Sequence, residues 1–109
     1  MKTLQKESVQ LQLKGVTKIC DIGSGTGAFA SVLCDLGYEV TGVDFASNMV
    51  KQSTNNTKHQ SIQFIQGDIL KGLPFSDHSF DLVIASHVAH GMKQSERFKM
   101  YAEMKRISK

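Results

Sequence analysis

The stretch that decides the fold is KICDIGSGTGAF, residues 18–29. The apolar run that ends at Ile22 predicts a β-strand, and apolar residues at helical spacing after the glycines predict a helix. Between them, Gly23, Gly25 and Gly27 allow a tight turn and let a ligand approach the backbone closely. The helix would point its free N–H groups at that ligand. We therefore predict a ligand-binding loop between a strand and a helix.

The rest of the chain repeats this alternation of short apolar runs and helical patterns. We predict strands at 16–22, 38–43, 62–66 and 80–85, with a loop over 70–79 before the last of them. Such alternation is typical of β-α-β units around a parallel sheet. The fourth run is nearly continuous in apolar residues, which predicts a strand buried on both faces.

Two helices are predicted to pack on this sheet through apolar side chains at helical spacing. In the helix after the glycine loop these side chains are Phe29, Val32, Leu33 and Leu36. Gly37 follows as the glycine that ends this helix. In the last helix, from residue 92 or 94 to about residue 108, the apolar side carries Phe98, Tyr101 and Ala102, flanked by Met104 and Ile107.

Length and composition exclude several classes of protein. With 109 residues the chain is one domain, 1–109, and its 40% hydrophobic and 21% charged residues are ordinary for a globular protein. It is neither a disordered chain nor a disulfide scaffold. No apolar run approaches the roughly 18 residues of a membrane helix, and the first residues lack the apolar region of a secretory signal.

Charge and cysteine usage favour a reduced compartment and argue against a nucleic-acid partner. The net charge is +3, and the Lys and Arg residues are spread thinly except over 93–109, which we interpret as the solvated face of a helix. Cys20 and Cys34 have no CxxC spacing, which predicts two buried thiols. We expect a cytoplasmic protein that binds neither membranes nor nucleic acid.

Three acidic residues follow or close the first three predicted strands. Asp21 immediately precedes the glycine loop, Asp44 closes the second strand, and Asp68 follows the third. Because the carboxyl ends of parallel strands meet at one edge of the sheet, all three would face one crevice. A ligand with a cationic amine, a diol and an exocyclic amino group would use all three. S-adenosylmethionine has these groups.

A dinucleotide is the minor alternative at this site. Gly23, Gly25 and Ala28 also fit the pattern G-x-G-x-x-A of dinucleotide-binding loops. The pyrophosphate of such a ligand would be repelled by Asp21. The loop by itself leaves both ligands open, and the three acids favour the first.

With these motifs the chain resembles the class I S-adenosylmethionine-dependent methyltransferases, most closely the small-molecule branch of ubiquinone and menaquinone C-methyltransferases. The resemblance covers residues 18–109 and is carried by four stretches, KICDIGSGTGAFASVLCDLGYEVTGVDFASNMV, FIQGDIL, LPFSDHSFDLVIASHVAHGM and YAEMKRISK. It implies an α/β fold, a Rossmann-like doubly wound parallel sheet with strand order 3-2-1-4. It also implies that strands five to seven of that fold are missing.

The resemblance further implies a function, methyl transfer from S-adenosylmethionine to a small-molecule acceptor with S-adenosylhomocysteine as product. Nine residues would hold the cofactor: Asp21 at the methionine amine, Gly23, Gly25 and Gly27 in the loop, Asp44 at the ribose diol, Phe45 and Ile69 beside the adenine, Asp68 at its amino group, and Ser86 near the methionine moiety.

The chemistry requires few catalytic residues. A sulfonium leaving group is already activated, so alignment and desolvation do most of the work, and a general base helps only where the acceptor loses a proton. His87 and His90, just after the fourth strand, are candidates by location. Their spacing also suits a metal pair, but no third ligand is evident, so we predict no metal site.

The missing strands leave two further expectations. A domain that keeps the cofactor residues but lacks a substrate half could be a non-catalytic binding module or a split subunit that acts with a partner chain. The fourth strand would also become a sheet edge, and an uncovered apolar edge pairs with other chains. We therefore expect a second copy, a different subunit or a rearranged tail to cover it.

Overall fold

A computed structural model describes residues 15–85 and 92–109. The described elements, in chain order, are β1 (Lys18–Ile22), α1 (Ala28–Asp35), β2 (Glu39–Asp44), α2 (Ser47–Asn56), β3 (Gln63–Gln66), a 3₁₀ helix (Ile69–Lys71), β4 (Leu82–Ala85) and α3 (Gln94–Ile107). The predicted strands are found with bounds that differ by one or two residues, and the predicted loop after β3 begins as the 3₁₀ helix.

The four strands form one parallel sheet in the order β3-β2-β1-β4. β1 lies between β2 and β4, so that Asp21 is opposite Gly42 on one side and Ile84 on the other. This central position explains why β1 is the most buried of the four strands, with four of its five residues buried. The predicted fold class and strand order are confirmed.

Helices cover both faces of the sheet, and a separate hydrophobic cluster lies under each layer. On the face of α1 the buried members are Ile19, Ala30, Leu33 and Val40. On the face of the 3₁₀ helix and α3 they are Cys20, Ile22, Val43, Ile69, Leu73, Phe80, Met100 and Ile107. Adjacent residues of β1 thus point to opposite clusters, as the period of two in a strand requires.

Gly37 ends α1 as the sequence predicts. Its φ is 98°, in the left-handed region that glycine adopts without steric cost. The turn is closed by two hydrogen bonds, from Gly37 N–H to the Cys34 carbonyl at 2.9 Å and from Tyr38 N–H to the Leu33 carbonyl at 3.2 Å. The chain is thereby directed into β2.

Helix α2 packs on the sheet through small side chains, because its sequence has almost no apolar face. Ser53 is its buried residue, and the Ser53 hydroxyl donates to the Val50 carbonyl at 2.9 Å. The neighbouring space is filled from β3 by the ring of Phe64, which lies close to Gly27 and Gly42. Glycines at these two positions make room for the ring.

The predicted packing sides of α1 and α3 are partly wrong. In α1, Ala30 and Leu33 are buried, whereas Phe29 and Val32 are about half exposed. In α3, Phe98 is 63% exposed, and the buried residues are Ile107, which the prediction placed beside the apolar side, and Met100, which it left out.

Tyr101 and Ala102, also on the predicted side of α3, are exposed as well. Met100 and Ile107 belong to the cluster that contains the 3₁₀ helix, while Glu103 and Arg106 hydrogen-bond to the segment after that helix. Because all four residues must face the same neighbours, the helix turns the predicted side to solvent. Periodicity alone does not show this requirement.

Strand β4 is less buried than its sequence predicts. Leu82, Val83 and Ile84 are half-buried and Ala85 is exposed, although side chains from the strand contact both clusters. The strand pairs with β1 on one side, and its other side has no strand partner within the described residues apart from a parallel bridge between Phe80 and Ser108 just before it. Its position at the edge explains the exposure.

Among the helices of the described residues, none is long and apolar enough to span a bilayer.

Candidate functional site

A cleft of about 270 Å³ lies at the carboxyl ends of β1, β2 and β3. We call it the strand-end cleft. Its lining residues are Ile22, Gly23, Val43, Asp44, Phe45, Gly67, Asp68, Ile69, Leu70 and Met92. Five of the nine predicted cofactor residues are among them, from three separate parts of the chain. The parallel sheet brings them together because the carboxyl ends of its strands share one edge.

Asp44 accepts hydrogen bonds from three segments of the chain at the strand-end cleft. One carboxylate oxygen accepts a hydrogen bond from Gly25 N–H at 2.9 Å, and the other accepts from Ala46 N–H at 3.0 Å. Its backbone carbonyl accepts from Gly67 N–H at 3.0 Å. Asp44 therefore connects the glycine loop, the turn after β2 and the end of β3.

The glycine loop is held against the end of β2 at its first residues. Gly23 N–H and Ser24 N–H both donate to the Val43 carbonyl, at 2.7 and 3.1 Å. Gly23 has a φ of 70° and Gly25 a φ of 57°, which side chains with a Cβ rarely adopt. The loop thus needs glycine at Gly23, which lines the cleft, and at Gly25, which does not line it.

Gly27 serves packing in this structure. It does not line the strand-end cleft, and a Cβ at this position would lie 3.1 Å from Cζ of Phe64 and 3.1 Å from Cβ of Ser53. It is also the N-cap of α1, with a φ of 86°. The sequence pattern places Gly27 correctly in the loop, but the space beside it belongs to the interface between α1, α2 and the sheet.

Asp21 is completely buried in β1 and is not among the cleft-lining residues. Next to it, burial and then the charge of Asp21 raise the pKa of the Cys20 thiol to about 12. Cys20 therefore stays protonated and behaves as a packing residue, as the sequence predicts. Both cysteines are free thiols, with Cys34 only partly buried.

Asp68 and Phe45 both line the strand-end cleft. Asp68 caps the 3₁₀ helix, because its Oδ1 accepts from Leu70 N–H at 2.9 Å. Phe45 is 72% exposed, and Gln66 donates from Nε2 to its carbonyl at 3.2 Å. Ile69 is buried beneath the same wall as Asp68. An exposed aromatic ring and a carboxylate thus line the same cleft.

Sequence reasoning missed several cleft residues. Gly67 and Leu70 flank Asp68 and Ile69, and a local motif around Asp68 could have included them. Met92 reaches the cleft from the segment before α3, far along the chain from the other lining residues, and the sequence holds no signal for that contact.

Three predicted site residues, Ser86, His87 and His90, lie outside the described residues. Their assignments stay predictions. Within 15–85 and 92–109, no three His, Cys, Asp or Glu side chains converge as a metal site would require.

The donors and acceptors of the strand-end cleft suit a nucleoside. A carboxylate has about four lone-pair sites, so Asp44 can accept further hydrogen bonds beyond its two backbone partners. Hydroxyl pairs and exocyclic amines are donors of the kind that Asp44 and Asp68 would accept. The exposed ring of Phe45 offers a flat surface for a base. The residues present therefore fit an adenosine-containing cofactor.

Comparison with known proteins agrees with this geometry. Residues 20–109 match the family model described as a methyltransferase domain. A demethylmenaquinone methyltransferase of Renibacterium salmoninarum is 34% identical over 92 residues, which are 84% of this chain and 37% of that protein. A demethylmenaquinone methyltransferase of Paenarthrobacter aurescens is 34% identical over 100 residues, 91% of this chain and 37% of that protein.

Solved structures share the fold. The PH0226 protein of Pyrococcus horikoshii superimposes with a TM-score of 0.87 and 29% identity, over 99% of this chain and 51% of that one. A SAM-dependent methyltransferase of Methanosarcina mazei superimposes with a TM-score of 0.83 and 25% identity, over 94% of this chain and 52% of that one. The chain thus spans little more than a third of the two curated relatives and about half of these structures.

The resemblance read from the glycine loop and the strand-end acids is confirmed by a sequence match over most of the chain and by the superposition of its sheet on solved relatives. On this evidence the chain belongs to the methyltransferase domain family.

Proposed function

We propose that the strand-end cleft binds S-adenosylmethionine and that the chain takes part in methyl transfer to a small-molecule acceptor. The observation that carries the proposal is the position of Asp44. Its carboxylate holds the glycine loop through Gly25 N–H and lines the same cleft as Asp68. Family membership and the names of the relatives support the same cofactor.

The residues predicted to hold the cofactor, apart from Gly27, have the following roles under this proposal. Asp44 accepts from the ribose hydroxyls, and Asp68 accepts from the adenine amino group. Phe45 and Ile69 contact the two sides of the adenine. Gly23 and Gly25 allow the cofactor to approach the backbone. Asp21 and Ser86 bind or orient the methionine part of the cofactor.

The protein's contribution to catalysis is alignment and exclusion of water. When bound, the cofactor supplies a methyl group on a sulfonium centre, which is an activated leaving group. The residues of the cleft would hold the cofactor in one orientation, and such alignment and desolvation supply most of the catalysis in this chemistry. Where the acceptor must lose a proton, His87 and His90 are the candidates for the general base.

Calorimetric titration with S-adenosylhomocysteine tests cofactor binding. We expect heat of binding for the wild-type chain and a loss of affinity of about tenfold or more for Asp44→Asn, because hydrogen bonds to a charged acceptor are the stronger ones. Asp35→Asn is the matched control, since Asp35 lies on exposed α1 surface and accepts from Gln60 outside the cleft. NADH should give no heat. If the wild-type chain gives no heat of binding with S-adenosylhomocysteine at high concentration, the proposal is refuted.

A second candidate function is cofactor binding without catalysis by this chain alone. The specific observation is that the chain spans 37% of each of the two curated relatives compared above. Transfer of a radiolabelled methyl group to a panel of small molecules separates the candidates. The panel should include demethylmenaquinone, because the relatives carry that name. Binding without turnover would favour a subunit that acts with a partner.

We also propose that a second copy or a partner chain covers the free side of β4. The residues after α3 already cover the position before the strand, where Phe80 N–H donates to the Ile107 carbonyl at 2.9 Å and Lys109 N–H donates to the Phe80 carbonyl at 2.8 Å. Leu82–Ala85 have one strand neighbour within the described residues. Light scattering over a range of concentrations should show association, and a monomer throughout would contradict the proposal.

We propose a cytoplasmic location, which the two free thiols support. Fractionation of cells that express the tagged chain would test it, and recovery in an oxidising compartment would contradict it.

A further inference from the structure

The guanidinium of Arg106 uses all of its hydrogen-bonding capacity. Its Nε and Nη2 donate to the two carboxylate oxygens of Glu103, each at 2.7 Å. Nη1 donates to the carbonyl of Phe75 and to Oδ1 of Asp77, each at 2.8 Å, and Nη2 also donates to the carbonyl of Leu73 at 3.1 Å. Arginine has five N–H donors, and all five have partners here.

Four of the five acceptors lie where they constrain the fold. Glu103 is on α3 with a side chain that is 12% exposed, and two backbone carbonyls belong to the segment between the 3₁₀ helix and β4. Only Asp77 is largely exposed, at 66%. The Arg106 guanidinium also holds the pKa of Glu103 below its ordinary value. A charged, bidentate pair of this kind is geometrically stiff.

Glu103 and Arg106 hydrogen-bond to both backbone polar groups of Leu73. Leu73 N–H donates to Oε2 of Glu103, and the Leu73 carbonyl accepts from Arg106. Leu73 is itself buried in the cluster beneath the 3₁₀ helix. Its position is therefore set from α3 as well as by hydrophobic contact.

Leu73 in turn packs against the wall of the strand-end cleft. A Cβ at Gly67 would lie 3.0 Å from Cδ2 of Leu73, so the two residues are in close contact. Gly67 lines the cleft and donates its N–H to the Asp44 carbonyl at 3.0 Å. The next three residues, 68–70, line the cleft too. A shift of Leu73 would therefore be transmitted to the wall that carries Asp68.

We propose that Glu103 and Arg106 are positioning residues for the cofactor: through Leu73 and Gly67 they hold the 67–70 wall of the strand-end cleft at the spacing that the adenosine moiety needs. Neither residue lines the cleft itself. The inference rests on the proposed binding of S-adenosylmethionine there.

Glu103→Gln tests the inference, and Asp77→Asn is its matched control. Both replace a carboxylate partner of Arg106 by an amide, but only Glu103 also binds Leu73. We expect Glu103→Gln to lower the affinity for S-adenosylhomocysteine by about fivefold or more, which is the lower end of typical coupling between two sites. The affinity for adenosine should fall by a similar factor. Asp77→Asn should stay within about twofold of the wild type.

Amide hydrogen exchange without ligand supplies a second readout. Leu70 N–H donates to Asp68 Oδ1, and Lys71 N–H donates to the Asp68 carbonyl. Both amides should exchange faster in Glu103→Gln and not in Asp77→Asn. If Glu103→Gln does not fold, Arg106→Lys carries the test, because it keeps the charge but loses the fork that reaches both Glu103 and Leu73.

The outcomes separate the two proposals. A wild-type chain without affinity for S-adenosylhomocysteine would refute the proposed function, while the exchange data would still report on the wall. A wild-type chain that binds, together with a folded variant of unchanged affinity and unchanged exchange at Leu70 and Lys71, would overturn the positioning role. A lower melting temperature with unchanged affinity would also overturn it, since that result marks a purely structural pair.

Discussion

At the scale of single residues, Gly42 shows how closely the side chains of a neighbouring strand and of the glycine loop pack on β2. A Cβ at this position would lie 2.5 Å from Cε1 of Phe64 and 3.0 Å from Oγ of Ser24. Phe64 is the residue of β3 that lies opposite Gly42 in the sheet, so its ring lies directly beside this position. Gly42 therefore provides space beneath the loop that leads into α1.

We expect Gly42→Ala to lower the free energy of unfolding by about 1–3 kcal/mol, the range of overpacking in a filled core. Urea denaturation measures the loss. The double variant Gly42→Ala/Phe64→Leu should recover part of it, because the shorter side chain vacates the contested space, and a double-mutant cycle isolates that coupling. A single variant as stable as the wild type would show that the ring does not restrict this position.

At the scale of elements, α3 is oriented by the contacts of one side. Met100 is 1% exposed and packs in the cluster with Ile69 and Phe80, whereas Phe98 is 63% exposed. The helix therefore buries a methionine and leaves a larger aromatic ring in solvent. Apolar character alone would assign the two residues the opposite roles.

Alanine substitutions at these two positions test the orientation of α3. Met100→Ala should lower the free energy of unfolding by about 2–5 kcal/mol, because it leaves a cavity in the cluster. Phe98→Ala should change it by about 0.5 kcal/mol or less, as is usual for an exposed side chain. Thermal and urea denaturation measure both. Equal losses for the two variants would mean that α3 faces the sheet differently.

At the scale of the whole molecule, Asp81 joins parts of the chain that are far apart in sequence. Its Oδ2 accepts from Thr17 N–H and Lys18 N–H, each at 2.9 Å, at the start of β1. Its Oδ1 is paired with the Lys109 ammonium at 3.2 Å. The hydrogen bonds from Lys18, Thr17 and Lys109 lower the pKa of Asp81 from 3.8 to about 2.

The lowered pKa predicts a pH dependence of stability. The ionised carboxylate is favoured in the folded state, so its contribution is present above pH 3.8, the pKa of an ordinary aspartate, and is lost as the pH falls to about 2. Asp81→Asn should therefore be less stable than the wild type at pH 7, and the difference should shrink between about pH 4 and pH 2.

Urea midpoints of Asp81→Asn and the wild type at pH 7, 4 and 2 give the measurement. Glu39→Gln is a suitable control, because the exposed pair of Glu39 with Lys18, at 3.7 Å, should contribute little at any pH. A difference between Asp81→Asn and the wild type that stays constant over this range would contradict the assignment.

Much of the fold and the core of the candidate site follow from local sequence pattern. The strand before Gly23, the helix end at Gly37 and the placement of Asp44 and Asp68 at the ends of strands depend on residues within a few positions of each other. Once the strands are parallel, geometry alone puts Asp44, Phe45 and Asp68 at one edge, where the structure shows them lining one cleft. Local preferences and the period of a strand are therefore enough to predict the positions of these residues.

Other features depend on contacts between distant parts of the chain, and only the tertiary structure decides them. Gly27 serves packing because Phe64 of β3 occupies the space beside it. Arg106 belongs to a partly buried network because Leu73 and Phe75, more than 30 positions away, provide carbonyls that accept from it. The exposed side of α3 follows from the same contacts. No local pattern encodes such partners, since each contact exists only after the sheet and both helical layers have formed.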